Sequence, residues 1–272
     1  MIGQINLLNK LNTYNVDTFP RSVILMGEKG SGKHELVKYI NSNIIKFPLY
    51  DITDSISDEY LDKIYRNPNP ALYLIDMSMM TEKAQNILLK FIEEPLSTAF
   101  IILLCESRNS VLNTVLNRCL VFELDSYSID ELAQFITHPE DISNDYKELI
   151  IDVLRTPGKV KSVDFDKLID LNQLCNNIVK RMVTASFANT LTIVNKINYK
   201  DEYNKFDINL FFDMLAYRYY KEYLLNGNNK CYENYLYTIE SRKKLSDKRL
   251  NKELFMVNFI TKLWKGSKLW EL

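Results

Sequence analysis

The chain has 272 residues, of which 46% are hydrophobic and 25% charged, and its formal net charge at pH 7 is -1. This composition excludes disordered and collagen-like proteins, and it supplies enough apolar side chains for one to three domains with buried cores. The longest uncharged apolar runs, such as residues 99–105, are far shorter than the roughly 18 residues needed to cross a bilayer. Because the amino terminus also lacks the pattern of a secretory signal, we expect a cytoplasmic protein with no membrane partner.

The four cysteines lie far apart, at 105, 119, 175 and 231, and none belongs to a Cys-x-x-Cys pair. This spacing is not typical of a structural zinc site or of a disulfide framework. We therefore expect no zinc and no disulfide, and free thiols in a reducing compartment.

The first part of the chain alternates predicted strands and helices. Short apolar runs predict strands at 22–27, 71–76, 99–105 and 119–124. The run at 99–105 is continuously apolar, as in a strand that is buried on both faces of a parallel sheet. Apolar residues at helical spacing predict helices at 34–40 and 81–94, and Pro95 ends the second of these.

After residue 125 the strand pattern disappears and predicted helices follow one another. Ser128 and Glu131 have the spacing of a capping box, which predicts a helix from 128 to about 137. Further helices are predicted at about 144–154, 208–225 and 251–264, and the first of these ends before a turn at 156–158. We therefore divide the chain into an α/β domain at 1–125, a small helical domain at 126–165 and a larger helical domain at 166–272.

Residues 27–34 read Gly-Glu-Lys-Gly-Ser-Gly-Lys-His, which fits the Gly-x4-Gly-Lys pattern of a phosphate-binding loop. The motif lies directly between a predicted strand and a predicted helix, where backbone N–H groups and the helix amino terminus can bind the phosphates of ATP or ADP. The alternative is a glycine turn that binds no ligand. The candidate nucleotide-binding residues are Gly27, Glu28, Lys29, Gly30, Ser31, Gly32, Lys33, His34 and Asp76.

The residues that would support hydrolysis are incomplete. His34 stands where phosphate loops normally place a Ser or Thr whose hydroxyl binds Mg²⁺, an ion that prefers oxygen ligands. Asp76 ends a predicted strand and could hold Mg²⁺ through water, but the next residue is Met77, where many ATPases of this type place the glutamate that activates water. We expect weak or absent Mg²⁺ binding, poor or no intrinsic ATPase activity, and no other metal site.

Four stretches of the sequence are similar to motifs of one protein family. They are the opening residues 2–8, Asn-Ile-Leu-Leu-Lys-Phe-Ile-Glu-Glu-Pro at 86–95, Thr-Val-Leu-Asn-Arg-Cys at 114–119 and Thr-Pro-Gly-Lys-Val at 156–160. With them the chain resembles the AAA+ clamp-loader subunits, and within that family it is most similar to the bacterial DNA polymerase III delta-prime type. The resemblance is strong as far as residue 160 and weaker beyond it, where the last helices are similar to those of a collar domain.

The resemblance implies an α/β P-loop AAA+ domain with a parallel sheet flanked by helices, then a helical lid domain and an all-α collar domain that oligomerises, with the boundaries given above. It implies a hetero-oligomeric ring of clamp-loader subunits that loads a sliding clamp on primer-template DNA, with the DNA contacted directly or through the ring. Arg118 occupies the position of the arginine that reaches the γ-phosphate of the neighbouring subunit in trans. The polar residue that senses γ-phosphate in active relatives falls near Glu106 or Ser107.

Three alternatives stay open. Arg118 could instead pair with a local carboxylate such as Glu123. The chain could be an ATP-hydrolysing AAA+ protein, a clamp-loader motor or a helicase loader, for which Lys33 and Asp76 suffice. It could also be an interaction module that binds no nucleotide.

Overall fold

The computed structural model describes residues 3–52, 56–67, 69–136, 144–182, 207–245 and 250–268. By its internal contacts the chain divides into two compact units, Met1–Lys161 and Ser162–Leu272. The first unit contains a parallel sheet with helices, and the described part of the second is helical. The finer division into three domains, with boundaries at 125 and 165, stays a prediction.

Five parallel strands form the sheet of the first unit. They are β1 (Ser22–Met26), β2 (Leu49–Ile52), β3 (Ala71–Asp76), β4 (Ala99–Cys105) and β5 (Leu120–Glu123), in the spatial order β2-β3-β4-β1-β5. The four predicted strands are thus confirmed as members of one parallel sheet. The sequence pattern does not predict β2, because only Ile52 of its four residues is buried.

Helices cover the sheet and continue after it. Those of the first unit are α1 (Ile5–Leu11), α2 (Lys33–Ile40), α3 (Asp58–Tyr65), α4 (Glu82–Glu93), α5 (Asn113–Leu116), α6 (Ile129–Ala133), α7 (Asn144–Leu149) and α8 (Pro157–Ser162). A π-helical turn continues α2 over Asn41–Ile45, and another continues α7 over Ile150–Leu154. The predicted parallel sheet with flanking helices is confirmed.

Both faces of the sheet are buried, which explains the continuously apolar sequence of β4. Ile101 and Leu103 of β4 belong to a core cluster that includes Leu88 of α4 and residues of α3 and α5. Ile102 and its alternating neighbours belong to a second cluster that includes Leu36 of α2 and residues of α1. Because successive side chains of a strand point to opposite faces, each residue of β4 joins one core or the other.

Two predicted features differ from the structure, and one is confirmed. α6 ends at Ala133, earlier than predicted, and residue 137 lies outside the described part of the chain. The capping box at its start is confirmed, since Ser128 Oγ accepts a hydrogen bond from Glu131 N and the Glu131 carboxylate accepts one from Ser128 N. Pro157 and Gly158 begin α8 instead of forming a turn, because proline has no N–H to lose at the first position of a helix.

The second unit contains four described helices, α9 (Phe165–Met182), α10 (Ile208–Asn226), α11 (Asn229–Lys244) and α12 (Lys252–Lys268). The predicted helices at 208–225 and 251–264 are confirmed as α10 and α12. The Phe212 ring of α10 lies 4.6 Å from the Phe259 ring of α12, measured between centroids, and Arg242 Nε of α11 lies 3.1 Å from Asp213 Oδ1 of α10. No helix in the described parts of the chain has the length and apolar character of a membrane span.

Candidate nucleotide-binding site

The predicted phosphate loop connects the carboxyl end of β1 to the amino terminus of α2. Gly27 N donates a hydrogen bond to Cys105 O of β4 at 3.1 Å, which fixes the start of the loop beside the neighbouring strand. Gly30 and Gly32 have φ angles of 81° and 92°, a left-handed conformation that residues with a Cβ rarely adopt. The glycine spacing of the motif is therefore what the loop requires.

The loop and α2 together offer unpaired donors to an anion. Gly32 is the N-cap of α2 and provides no side-chain hydrogen bond to the first turn of the helix. The first N–H groups of a helix have no partners within the helix and carry partial positive charge. The Ser31 hydroxyl is also buried, and no described atom hydrogen-bonds to it. These residues fit the phosphates of a nucleotide, as the motif predicts.

Lys33 turns back into the loop. Its Nζ donates hydrogen bonds to Gly27 O at 2.6 Å and to Glu28 O at 3.0 Å. Burial lowers the pKa of Lys33 from its ordinary value, and the carboxylates of Glu106 and Asp76 oppose that shift. A phosphate that replaced the two carbonyl groups would give this ammonium a partner of opposite charge, as the motif requires of its lysine.

Three carbonyl groups of the loop accept hydrogen bonds from residues beyond position 125. Tyr127 Oη donates to Ser31 O at 2.7 Å, Thr156 Oγ1 donates to Lys29 O at 3.0 Å, and Gly158 N donates to Gly30 O at 2.9 Å. The sequence singles out the Thr-Pro-Gly segment but does not show that it lies on the loop. Tyr127 carries no local signal, because its partner is 96 positions away in the chain.

Gly30 and Gly158 approach each other so closely that neither has room for a side chain. A Cβ added to Gly158 would lie 2.7 Å from Gly30 Cα and 3.0 Å from Gly30 O. Both of these atoms belong to the backbone, so the clash could be relieved only by moving the loop or the start of α8. The conformation of the loop is thus tied to the position of α8.

A cavity of about 1200 Å³ opens in front of the loop. Its lining includes Gly30, Gly32, Lys33 and His34, together with Asp76 from the end of β3. Other lining residues include Glu106, Tyr127, Phe135 and Lys161. The volume is large enough for a nucleotide, since ligand pockets commonly measure about 300–1,000 Å³. Of the predicted nucleotide-binding residues, Lys29 also lines this cavity, while Gly27, Glu28 and Ser31 form the loop behind it.

The phosphate loop lacks the Ser or Thr hydroxyl that usually binds Mg²⁺ in this motif. His34 lines the cavity at the hydroxyl position of the motif and presents an imidazole. The carboxylate of Asp76 accepts a hydrogen bond from Ser78 N at 2.9 Å, and Met77 is buried, with 1% of its surface exposed. Within the described residues, no group of three or more His, Cys, Asp or Glu side chains could hold a metal ion.

The thiols in and near the sheet are free and weakly acidic. Cys105 is buried at the end of β4 and lines the cavity, and burial raises its pKa to about 11. Cys119 is partly buried, and its pKa is raised to about 12 for the same reason. Burial thus favours the neutral thiol over the thiolate, which is the nucleophile and the metal ligand.

Arg118 lies outside the set of residues that line this cavity. It follows α5, and its guanidinium forms an ion pair with the Glu93 carboxylate at the end of α4. Its Nη1 also donates a hydrogen bond to Thr114 O at 2.9 Å. The alternative in which Arg118 pairs with a local carboxylate is therefore present, with Glu93 as the partner. Glu123 pairs instead with Arg108, at 2.8 Å.

Residues 49–128 match the family model described as DNA polymerase III, delta subunit. A curated DNA polymerase III subunit gamma from Buchnera aphidicola subsp. Baizongia pistaciae is 32% identical over 110 residues, which cover 38% of this chain and 30% of that protein. The subunit gamma of Buchnera aphidicola subsp. Schizaphis graminum is 34% identical over 84 residues, or 29% of this chain and 23% of that protein. The matched part thus spans less than a third of either curated relative.

Among solved structures, the chain is similar to a DNA polymerase III gamma subunit-related protein from Thermotoga maritima. The TM-score is 0.55 at 15% sequence identity, and the match covers 98% of this chain and 100% of that one. At this identity the likeness concerns the fold alone, which in the first unit is a parallel five-stranded sheet with flanking helices. The family match and the curated relatives concern parts of the chain, and the solved structure is similar in fold over nearly all of it.

Proposed function

We propose that the chain is a clamp-loader subunit of delta-prime type in DNA replication. In this role it assembles in the cytoplasm with other AAA+ subunits into a hetero-oligomeric ring that loads a sliding clamp on primer-template DNA. The observation that carries the proposal is the match of residues 49–128 to the DNA polymerase III delta subunit family. In this proposal residues 126–165 serve as the lid and residues 166–272 as the collar through which the subunits assemble.

The geometry of the loop supports nucleotide binding without efficient hydrolysis. The left-handed glycines, the uncapped start of α2 and Lys33 all favour a bound phosphate. Hydrolysis needs in addition a cation that spans the phosphates and a group that positions the attacking water. His34 and the buried Met77 supply neither.

The position of Arg118 supports a role in trans. The side chain is 40% exposed, lies away from the cavity of its own chain, and has a carboxylate partner that is 44% exposed. Because an exposed ion pair contributes only about 0–1 kcal/mol, the phosphates of a neighbouring subunit can replace Glu93 as its partner at little cost. A guanidinium is suited to that role because it is always charged and binds phosphate with two N–H groups.

Two measurements on the purified chain test the nucleotide part of the proposal. We expect ATP and ADP analogues to bind, Lys33→Ala to abolish that binding, and steady ATP turnover to be at background level. Turnover that Lys33→Ala abolishes would contradict the proposed type of subunit. If neither analogue binds, the result would favour the alternative that the chain is an interaction module that binds no nucleotide.

A third measurement tests the assembly. Purification of the chain from its native source should recover other clamp-loader subunits in a defined complex. Recovery as a single chain, or with partners unrelated to DNA replication, would contradict the proposal.

A second candidate is a gamma-type subunit that hydrolyses ATP, which the names of the two curated relatives favour. The two candidates differ in turnover by the isolated chain. His34 and Met77 favour the first candidate, because a gamma-type motor needs its own Mg²⁺ and its own water-positioning group.

A further inference from the structure

Two carboxylates stand at the edge of the sheet where the phosphate loop begins. Asp76 is the last residue of β3, and Glu106 directly follows β4. The register pairs Met26 of β1 with Cys105, so Gly27 and Glu106 are the next residues on adjacent strands. Asp76 pairs with Leu104 on the other side of β4. Both carboxylates therefore lie near the first residues of the phosphate loop, and both line the cavity.

The chain of phosphates in a bound nucleotide would run toward this edge. Ligands of parallel α/β sheets lie outside the carboxyl ends of the strands, and the lysine of the loop contacts the last two phosphates. Lys33 already interacts electrostatically with Glu106 and, less strongly, with Asp76. A third phosphate beyond the loop would meet these two carboxylates while competing with them for the same ammonium.

Mg²⁺ normally offsets such repulsion, but this chain lacks the hydroxyl that binds it in other phosphate loops. In other phosphate loops a Ser or Thr hydroxyl holds Mg²⁺ between the last phosphates, but His34 occupies this position. The extra negative charge of a triphosphate is thus poorly compensated, whereas a diphosphate places its charge within the loop and the start of α2.

We propose that Glu106 is a specificity-determining residue that makes this site take a nucleoside diphosphate in preference to a triphosphate. The inference rests on the proposed nucleotide site and adds the substrate class to it. The Glu106 carboxylate repels the third phosphate. It also offsets part of the positive charge of Lys33 that would otherwise attract that phosphate. Asp76 contributes in the same direction, but more weakly, because its carboxylate is also turned to Ser78 N.

Equilibrium titration of the full chain with ADP and with ATP, in EDTA so that no divalent cation contributes, tests this assignment. The dissociation constant for ATP should exceed that for ADP by about tenfold, and Glu106→Gln should remove most of this difference by strengthening ATP binding. Asp51→Asn is the matched control, since it removes the same charge from an exposed position on the edge strand β2, outside the cavity. It should leave both constants unchanged.

The outcomes separate the inference from the proposed function. Tight binding of both nucleotides with equal constants, or an equal change of both in Glu106→Gln, would overturn the role of Glu106 and leave the nucleotide site standing. Binding of neither nucleotide by the unaltered chain would overturn both. Glu106 is exposed, so its replacement should not affect folding, and the ratio measured on the unaltered chain tests the preference without any variant.

Discussion

At the scale of single residues, the candidate site has the glycines and the lysine of a phosphate loop. His34 and Met77 stand where other phosphate-loop proteins place a hydroxyl and a glutamate. Gly30 and Gly32 have the left-handed conformation that glycine adopts readily, and both hydrogen bonds of Lys33 Nζ go to backbone carbonyl groups of the loop. Arg118, by contrast, is paired and lies away from the cavity. In the proposed function, phosphate binding in cis and action on phosphate in trans thus belong to different residues on different parts of the unit.

The arginine can be tested once a complex with its neighbours is reconstituted. Arg118→Ala should lower the DNA-dependent ATPase rate of the assembly, because an arginine finger usually contributes about 10³-fold or more to turnover at the site that it reaches. Assembly should be unaffected, because the ion pair with Glu93 is exposed and contributes little to stability. The rate is measured in steady state and assembly by size-exclusion chromatography.

Arg108→Ala is the matched control for that variant, since it also removes an exposed arginine that is paired with a carboxylate. It should leave the rate of the complex close to that of the unaltered protein. An unchanged rate in Arg118→Ala, or an equal loss in both variants, would contradict a specific role of Arg118.

At the scale of elements, the start of α8 and the phosphate loop form one structural feature. Backbone contacts join Gly30 to Gly158, and the Thr156 hydroxyl joins the same segment to Lys29. The loop therefore depends on a helix that begins more than a hundred residues later in the chain. A movement of α8 would change the conformation of the predicted phosphate loop.

Gly158→Ala tests this dependence. Because the added Cβ would meet Gly30 backbone atoms at 2.7 and 3.0 Å, we expect a loss of about 1–3 kcal/mol in the free energy of unfolding and weaker nucleotide binding. Urea denaturation followed by circular dichroism gives the first quantity, and equilibrium titration gives the second.

The control for Gly158→Ala is Gly227→Ala, in the second unit. Gly227 also has a positive φ, 63°, but a Cβ there would meet no atom within 4 Å. Its strain of about 1–2 kcal/mol should lower stability without changing nucleotide binding. Normal stability and normal binding in Gly158→Ala would show that the close approach of the two glycines has no consequence.

At the scale of the whole molecule, internal contacts divide the chain into two compact units. The first unit ends at Lys161 and so includes α6, α7 and the start of α8 together with the sheet. Tyr127, Thr156 and Gly158 contribute to this division, since each hydrogen-bonds to the phosphate loop. The domain boundary predicted at 125 stays a prediction.

Truncated chains test that boundary. A fragment of residues 1–164 should unfold cooperatively, because both core clusters of the sheet lie within it. A fragment of residues 1–125 lacks three hydrogen bonds to the loop and should be less stable by about 1.5–4.5 kcal/mol, at roughly 0.5–1.5 kcal/mol per bond. Urea denaturation of the two fragments measures the difference, and equal stabilities would favour a boundary at 125.

The sequence by itself determined the parts of this protein that depend on local pattern. Four of the five strands, the helix that begins at the capping box and the phosphate loop follow from short-range periodicity, glycine placement and the Ser128–Glu131 spacing. It did not predict β2, whose residues are mostly exposed, nor the helical start at Pro157, where the proline suits both a turn and a first helical position.

Only the tertiary structure decided which distant residues meet. Nothing in the local sequence shows that Glu93 rather than Glu123 pairs with Arg118, or that Tyr127 and Gly158 bond to the loop. Such contacts depend on the order of the strands and the packing of helices on the sheet, which bring together groups separated by more than 120 positions. Local pattern fixes what each segment forms, because backbone sterics and side-chain periodicity act over a few residues, whereas the folding of the whole unit fixes the partners of each side chain.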